Sequence, residues 1–352
     1  MTFSEKVAGS MKRALSFVVI LCLFLSACSR PWAQTSPQAV EARIFAMDTD
    51  MSFTVYGPQE ALNALTRTVF DLDAKLSVTR ADSLVNQLNR TGRVETHDED
   101  LLGLARAAQE IGDATGGALD VTLYPIVKAW GFTTGEHRIP DAETTAALLE
   151  KVDYSAIAVS ENAITLPDGA EVDFGALAKG YAGELCAHQL REAGVTSAIL
   201  RLSGNIQALG TKPDGSPWRV GIQDPQGEAE DLLGILEVAD RAVVTSGSYQ
   251  RYFVEDGIIY HHIMDPATGA PARSGLTSVT IISPSGTWAD GLSTALFVMG
   301  REKALDYWQA HRDFDCVLVT EDGDVWITPG LANTFTLSSK SYTLHIAENS
   351  FS

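Results

Sequence analysis

Helix-like and strand-like patterns are intermixed along the sequence, and this irregular order constrains the fold more than any other feature. Apolar residues have helical spacing over Gln59–Leu76 and Leu101–Gly112, whereas short strand-like segments dominate from Ala198 onward. Several of these segments pair naturally across short turns, and no regular β-α-β rhythm is present. The pattern therefore predicts an α+β fold with mixed helices and largely antiparallel sheets. No linker is evident within residues 43–346, so we expect one composite domain there.

The charge balance excludes one large class of functions. The 352 residues include 45 Asp and Glu against 26 Lys and Arg, which gives a formal net charge of −19. Nucleic-acid binding needs clustered Lys and Arg to neutralise phosphates, so no interaction with DNA or RNA is expected. The hydrophobic content of 45% is ample for a packed core and excludes a disordered acidic chain.

The N-terminal residues have the pattern of a secretory signal. Lys12 and Arg13 precede an uncharged run from Ala14 to Leu25, which is too short to span a bilayer. The string L-S-A-C follows, ends at Cys28 and resembles the lipobox of bacterial lipoproteins. We expect a lipoprotein signal peptide over residues 1–27 and a lipid-anchored tether over residues 28–42, with Cys28 lipidated. An ordinary secreted protein with an incidental cysteine is the alternative.

Two further cysteines would remain after cleavage of the signal peptide. Cys186 and Cys316 both lie in apolar segments. Export would permit a disulfide between them, but two buried free thiols fit the sequence equally well.

Four segments rich in Gly and Asp place polar residues among apolar ones, which an ordinary surface loop would not do. Taken singly, each also fits a structural role such as a helix cap or a turn. The segments are Gly116–Phe132 with Asp120, Glu171–Glu184 with Asp173 and Lys179, Tyr260–Pro271 with His261 and His262, and Ala289–Gly300 with Asp290 and Thr294.

Two of these segments suggest specific chemistry. In Glu171–Glu184, a small-residue loop leads into a helix with Lys179 nearby, which suits a phosphate group, although the spacing is not that of a P-loop. In the third segment, neighbouring histidines of a strand point to opposite faces. At most one of His261 and His262 can therefore face a given site.

The last segment has the residue types of a metal site. We expect a helix from Asp290 to Met299, on which Asp290 and Thr294 are four positions apart and share a face. A carboxylate, a hydroxyl and backbone carbonyls form an all-oxygen set that suits Mg²⁺ or Ca²⁺ rather than Zn²⁺. The alternative is an N-cap Asp290 followed by an internal Thr294.

Together and in this order, the segments closely resemble the ApbE family of FAD:protein FMN transferases. The resemblance runs from Ala46 to Gly300. It rests on the strings A-M-D-T, L-S-V-T, G-A-L-D-V-T, D-F-G-A-L-A-K-G-Y-A, L-S-G-N, V-T-S-G-S-Y-Q-R-Y-F, H-H-I-M-D-P-A-T-G and A-D-G-L-S-T-A.

The resemblance implies an enzyme that uses Mg²⁺ to transfer FMN from FAD to a Thr hydroxyl of a target protein, with release of AMP. It implies a base at His262 and a metal site formed by the Ala176 carbonyl, Asp290, Ser293 and Thr294. The implied FAD contacts are Met47, Thr79, Ala118, Leu119, Asp120, Asp173, Lys179 and Met264.

The resemblance also implies a partner and a location. The target would be a flavin-accepting subunit of a membrane redox complex. The protein would then be lipid-anchored on the periplasmic side of the cell membrane, with the inner membrane favoured. Two other activities remain open from the same residues, namely hydrolysis of FAD to FMN and AMP, and FAD binding without catalysis.

Among the departures from the family pattern, two affect expected ligand contacts. Asp48 stands where the family commonly has Gly, and Thr79 stands where an aromatic residue is common. At Asp48 we therefore expect the backbone to approach a ligand differently from the family pattern. At Thr79 we expect no stacking of a side-chain ring.

Overall fold

The computed structural model describes residues 38–228 and 230–348. The predicted signal peptide, residues 28–37 of the predicted tether and Cys28 lie outside this part of the chain. The strands are β1 (Ala39–Ala46), β2 (Thr49–Tyr56), β3 (Arg93–Glu95), β4 (Ala158–Val159), β5 (Ala163–Thr165), β6 (Ala198–Leu202), β7 (Asn205–Leu209), β8 (Trp218–Gln223), β9 (Leu232–Val238), β10 (Ala242–Gly247), β11 (Tyr252–Glu255), β12 (Ile258–His261), β13 (Met264–Asp265), β14 (Ala270–Pro271), β15 (Leu276–Ser283), β16 (Asp315–Thr320), β17 (Asp324–Ile327), β18 (Phe335–Leu337) and β19 (Thr343–Ile346). The helices are α1 (Gln59–Leu76), α2 (Leu84–Thr91), α3 (Glu99–Ala114), α4 (Tyr124–Ala129), α5 (Ala142–Leu149), α6 (Gly175–Glu192), α7 (Gly286–Met299) and α8 (Arg301–His311).

A nine-stranded sheet forms the centre of the fold. Its strand order is β1-β2-β6-β7-β10-β15-β16-β17-β19. Neighbouring strands run antiparallel except β17 and β19, which are parallel. The predicted α+β class with largely antiparallel sheets is confirmed.

The two faces of this sheet are covered by different layers. Ala242 and Val244 of β10 pack with residues of α7 and α8, whereas Val243 between them packs with residues of β8 and β9. Successive side chains of a strand point to opposite faces, so this alternation places the helices on one face and the small β18-β9-β8 sheet on the other.

Several elements differ from the sequence prediction. Helix α7 begins at Gly286 rather than Asp290, because the Ser285 side chain caps it by accepting a hydrogen bond from the Trp288 N–H at 3.3 Å. Strand β1 begins at Ala39, so residues 39–42 of the predicted tether belong to the sheet. Strand β7 was not predicted, since its Asn205 and Gln207 are buried polar residues that interrupt an apolar pattern.

Helices α6 and α7 cross in direct contact at a pair of glycines. A Cβ atom added to Gly180 would overlap the carbonyl oxygen of Gly286, and one added to Gly286 would overlap the carbonyl of Gly180. Close to this crossing, the Glu184 carboxylate of α6 accepts hydrogen bonds from the Ser285 hydroxyl at 2.8 Å and from the Thr287 N–H at 3.0 Å. The Glu184 side chain of α6 thus satisfies hydrogen-bond donors at the N-terminus of α7.

Both remaining cysteines are buried free thiols in the structure. Burial raises the pKa of Cys186 to about 12 and also raises the pKa of Cys316, so neither thiol is activated. Within residues 38–228 and 230–348, no helix combines the length and the apolar character needed to cross a membrane.

Substituting Gly180 tests whether the helix crossing needs glycine. Gly180→Ala places a methyl group against the backbone of α7, so we expect a loss of stability of about 1–3 kcal/mol or more, measured by urea unfolding. Gly103→Ala is the matched control, because Gly103 lies inside α3 with no atom near its Cβ position. The control should gain about 0.5–1 kcal/mol from helix propensity. Equal stability of the two variants would contradict the account of the crossing.

Candidate active site

One large cavity runs along the region where α6 and α7 meet the central sheet. Its volume is about 1040 Å³, which is at the upper end of typical small-molecule sites. Its wall includes the turn between β1 and β2, the first turn of α6, the end of β10 and the segment that follows β12. A cavity of this size can hold a dinucleotide.

The cavity brings together nearly all of the residues predicted from the sequence. Ser293 is an exception, because it is fully buried behind the wall, where its hydroxyl donates to the Asp290 carbonyl at 2.8 Å. Cys28 lies outside the described residues. The predicted residues that line the cavity are Met47, Thr79, Ala118, Leu119, Asp120, Asp173, Ala176, Lys179, His262, Met264, Asp290 and Thr294.

The Asp290 carboxylate is held by the glycine crossing. Its Oδ2 accepts a hydrogen bond from the Gly180 N–H at 2.8 Å. In an α-helix that N–H would ordinarily pair with the carbonyl four residues earlier, which belongs to Ala176. The Gly180 N–H thus serves Asp290 at a position where an α-helix would direct it to Ala176, and Ala176 lies at the cavity wall. Asp290 is not the N-cap of its helix, the alternative that the sequence left open.

Electrostatics at Asp290 favour a nearby cation. Burial raises the pKa of this carboxyl, while the positive charge of Lys179 and the adjacent backbone N–H groups oppose the rise. A carboxylate in this position is short of compensating charge, and a bound cation would provide it.

Three hydroxyl groups continue this polar wall. The Ser246 hydroxyl at the end of β10 lies 2.7 Å from the Ser293 hydroxyl and 3.3 Å from that of Thr294. The network fixes the side chain of Thr294 on the same side of α7 as Asp290. It also explains how Ser293 can influence the site without lining the cavity.

The oxygen atoms at this wall fit a magnesium ion shared with a ligand. In the described part of the chain, no group of three or more His, Cys, Asp or Glu side chains could hold a metal by itself. Asp290 supplies one carboxylate, with the Thr294 hydroxyl and the Ala176 carbonyl beside it. Mg²⁺ is commonly bound by one or two carboxylates together with substrate phosphates, so this sparse set suits it.

His262 faces the cavity in a defined tautomer. Its Nδ1 lies 3.2 Å from the Arg251 carbonyl oxygen, which can only accept a hydrogen bond. Nδ1 therefore carries the proton, and Nε2 holds a lone pair. Burial, reinforced by the charge of Arg251, lowers the pKa of His262 to about 3, so the ring is neutral at pH 7.

His261 points away from the cavity, as strand geometry predicts. Its Nε2 donates to the Ala272 carbonyl at 3.0 Å, and its ring meets Phe297 edge-on with centroids 5.4 Å apart. It contributes to the helix-facing core and takes no part in the site.

Two further carboxylates with a predicted role also line the cavity, Asp120 and Asp173. Asp120 accepts hydrogen bonds from the Thr122 N–H at 2.7 Å and from the Tyr154 N–H at 3.2 Å, so it also fixes the local backbone. Asp173 accepts from the Gly175 N–H at 2.8 Å, at the start of α6. Burial raises the pKa of both carboxyls.

Several residues of the cavity wall had no role in the sequence prediction, and three of them interact with the predicted residues Asp290, Thr294 and His262. These three are Asn205, Ser246 and Arg251. After burial and the charge of Lys179, the Asn205 side chain is the next influence on the Asp290 carboxyl, and its hydrogen bond opposes the rise in that pKa. All three lie in strings that carry the family resemblance, L-S-G-N and V-T-S-G-S-Y-Q-R-Y-F, so these strings could have indicated them as site residues.

Comparison with known proteins identifies the family. The ApbE family matches residues 47–318. The chain belongs to the ApbE family. A FAD:protein FMN transferase of Klebsiella pneumoniae is 34% identical over 291 residues, which cover 79% of this chain and 88% of the relative. One from Treponema pallidum is 32% identical and covers 78% of this chain and 82% of the relative.

Solved ApbE structures have the same fold. The ApbE protein of Thermotoga maritima superposes with a TM-score of 0.76 at 32% identity, covering 82% of this chain and 96% of that one. The flavinyl transferase ApbE of Pseudomonas stutzeri, in its apo form, gives 0.73 at 28% identity and covers 86% and 95% of the two chains.

The two departures from the ApbE pattern have different consequences. Met47 and Asp48 form the two-residue turn between β1 and β2, with φ of 50° and 55°. Asp tolerates this left-handed region better than most residues, so the turn survives without Gly, and the Met47 N–H is held by Asp73 at 2.8 Å. Thr79 is exposed at the cavity wall and offers a hydroxyl where a ring could stack.

Replacing Asp290 by Asn separates its charge from its packing. Asp290→Asn keeps an oxygen acceptor for the Gly180 N–H, so we expect a melting temperature close to that of the native protein. Loss of the carboxylate charge should raise the Mg²⁺ concentration for half-maximal activity about tenfold or more. Asp315→Asn is the control, since Asp315 is a partly buried carboxylate that accepts from the Thr328 hydroxyl and does not line the cavity. An unchanged Mg²⁺ requirement in Asp290→Asn would refute the assignment.

Proposed function

We propose that this protein is an Mg²⁺-dependent FAD:protein FMN transferase, which moves FMN from FAD to a Thr hydroxyl of an acceptor protein. One observation supports this proposal above all. A single cavity is lined by the oxygen atoms of Asp290 and Thr294, by the positively charged Lys179 and by the neutral base His262. The ApbE relatives that bear this enzyme name support the proposal.

The reaction breaks one phosphorus–oxygen bond and forms another. The Thr oxygen attacks the phosphorus of the FMN half of FAD, and the bridging oxygen leaves with AMP. The hydroxyl proton passes to a base as the new bond forms. The products are a protein with FMN esterified to Thr, and AMP.

The charge of the protein makes a local cation necessary for this chemistry. Without residues 1–27, which carry a net charge of +2, the chain would have a net charge of −21, which repels a pyrophosphate in general. Lys179 supplies one positive charge at the cavity wall. Asp290, Thr294 and the Ala176 carbonyl would hold Mg²⁺, which would neutralise developing charge on the phosphates.

His262 is the proposed proton acceptor. Its Nε2 lone pair is available because Nδ1–H donates to the Arg251 carbonyl. The negative charge of a bound pyrophosphate raises the pKa of a nearby imidazole, which makes the ring a better base once FAD is bound. Storage of FAD without catalysis would need no such group.

We also propose that the protein is exported and lipid-anchored at Cys28 on the periplasmic side of the cell membrane. The basic residues, short apolar run and L-S-A-C string support this location. The acceptor would then be a subunit of a membrane redox complex exposed on the same side.

Replacing Cys28 tests the lipid anchor. Cys28→Ser should release the protein from the membrane fraction, and continued membrane association of that variant would contradict the anchor.

A flavinylation assay tests the proposed function. Membranes of the source organism lacking this gene are incubated with FAD, Mg²⁺ and the purified protein, and covalent flavin is detected by fluorescence after denaturing electrophoresis. We expect a fluorescent acceptor band with an added FMN mass on a Thr, together with stoichiometric AMP. Free FMN and AMP without a labelled protein would instead establish hydrolysis of FAD. If neither a labelled protein nor free FMN and AMP forms, the protein binds FAD without catalysis.

Replacing His262 tests the base. His262→Ala should lower kcat for transfer about 10²–10⁴-fold with FAD affinity retained, whereas His188→Ala, an exposed residue of α6, should have no effect.

The pH dependence of the wild-type enzyme tests the same base. Because the pKa of His262 is lowered to about 3, the neutral base persists well below pH 6.5, and the acid limb of kcat/KM should lie below that pH. An acid limb centred at or above pH 6.5 would contradict an assignment to this buried ring.

A further inference from the structure

The active-site cavity continues onto the second face of the central sheet. Asp290 lies on α7, which covers the helix face. Val220 and Val243 pack between the central sheet and the small sheet on the opposite face, and they line the same cavity. The cavity therefore passes around the strand ends, where the turn of residues 203–204 between β6 and β7 lines it. The part beyond this turn, here called the sheet-side arm, is lined by Ile206, Val220, Gly221, Ile222, Gln223, Leu232, Val243 and Tyr249.

The sheet-side arm contains none of the residues predicted to contact FAD or Mg²⁺. Those residues line the remainder of the cavity, around Asp120, Asp173 and Asp290. A transferase has to hold its acceptor and FAD at the same time. An arm that is free of predicted FAD contacts and continuous with the site is therefore open to the second substrate.

One wall of the sheet-side arm is the free edge of β8. Strand β8 ends the small sheet, whose order is β18-β9-β8, so only one of its edges is paired. The four consecutive residues 220–223 line the cavity. Because successive side chains of a strand point to opposite faces, a run of consecutive residues borders a cavity along a strand edge and not along a face.

The backbone of this edge is available for pairing. Within residues 38–228 and 230–348, no hydrogen bond joins residues 220–223 to any element other than β9. In an antiparallel pair, every second residue directs its N–H and C=O away from the partner strand. Such a row of backbone groups is a template for another extended chain.

The sheet-side arm also lies close to the proposed base. Burial raises the pKa of Tyr249 to about 12, and the nearby charge of Asp224, the residue after β8, adds to the rise. Arg251 is two positions after Tyr249, and its carbonyl oxygen lies 3.2 Å from His262 Nδ1. Since consecutive Cα atoms are about 3.8 Å apart, the Cα atoms of Tyr249 and Arg251 lie within about 8 Å of each other. A chain that runs along β8 and continues past Tyr249 would reach His262.

We propose that the free edge of β8 binds the acceptor segment that carries the modified Thr, as an additional strand of the small sheet. The proposal rests on the proposed function, because only a transferase must bring a protein chain to His262. Backbone pairing supplies the affinity, and it selects an extended segment without Pro at the pairing positions. The Thr lies just beyond the paired stretch, at the Gln223 end of β8.

The form of this wall argues against two other occupants. A heterocyclic ring of FAD would stack on side chains, and it cannot pair with a row of strand N–H and C=O groups. A second copy of this chain would pair along one six-residue strand, which is far less than the interface of a stable dimer.

Hydrogen–deuterium exchange of the full chain tests the docking strand. The ligand is the acceptor labelled in the flavinylation assay, with its modified Thr replaced by Val so that no FMN is transferred. Among residues 220–223, we expect the amides that do not pair with β9 to exchange about tenfold or more slowly when this acceptor is bound, because pairing protects them. The matched control is β19 (Thr343–Ile346), another edge strand, whose exchange should not change.

A substitution beside β8 tests the same surface during turnover. The exposed Leu232 side chain lies beside Gly221 and lines the cavity. Leu232→Gln should raise KM for the unmodified acceptor about 3–10-fold, while KM for FAD, kcat at saturating acceptor and the melting temperature match the wild type. Leu344→Gln is the control, since Leu344 is similarly exposed on β19 and does not line the cavity.

The outcomes separate the docking proposal from the proposed function. If the wild type transfers FMN but the acceptor leaves exchange at β8 unchanged, or Leu232→Gln leaves the acceptor KM unchanged, the docking proposal alone is wrong. Protection by FAD without acceptor would assign the arm to FAD, and protection that grows with enzyme concentration alone would assign it to a second copy. Either result, or an equal change in acceptor KM for the two Leu variants, would also overturn it. A wild-type enzyme that labels no acceptor would overturn the proposed function, and the docking proposal with it.

Discussion

The contact between Gly180 and Gly286 is the constraint on which the rest of the site depends. Because neither residue has a side chain, α6 and α7 approach until the backbone of one helix touches that of the other. This approach lets the Gly180 N–H reach the Asp290 carboxylate at 2.8 Å, next to Ala176 at the first turn of α6. The oxygen atoms proposed to bind Mg²⁺ are thus a consequence of how two helices pack.

The site also provides local positive charge in a chain whose overall charge is negative. A chain with a formal net charge of −19 cannot attract a pyrophosphate by its overall field. The structure places Lys179, N–H groups at the start of α6 and the buried Asp290 carboxylate in one cavity, where a single cation would join protein and substrate. Burial disfavours the charged form of both Asp290 and His262. It therefore raises the pKa of the Asp290 carboxyl and lowers the pKa of the His262 imidazole.

Much of the fold could be predicted from sequence, and the exceptions have physical causes. Regular periodicity predicted the long helices α1 and α3, but β1 is a half-exposed edge strand with no clear apolar face. The start of α7 was misplaced because the charged Asp290 suggested a cap, whereas Ser285 supplies it. Motif strings predicted most of the cavity wall. They could not show that Ser293 is behind the wall or that Ser246 bridges it to Thr294, because those relations arise only when β10 meets α7.

The most direct test of this account is the thermodynamic linkage between Mg²⁺ and FAD. The protein offers the ion one carboxylate, so tight binding should require phosphate oxygens as further ligands. Mg²⁺ affinity is measured by isothermal titration calorimetry with and without FAD, in His262→Ala to prevent turnover. The account predicts that FAD tightens Mg²⁺ binding about tenfold or more, and that Mg²⁺ tightens FAD binding by the same factor. Equal Mg²⁺ affinity in the presence and absence of FAD would contradict a metal site shared between Asp290 and the substrate.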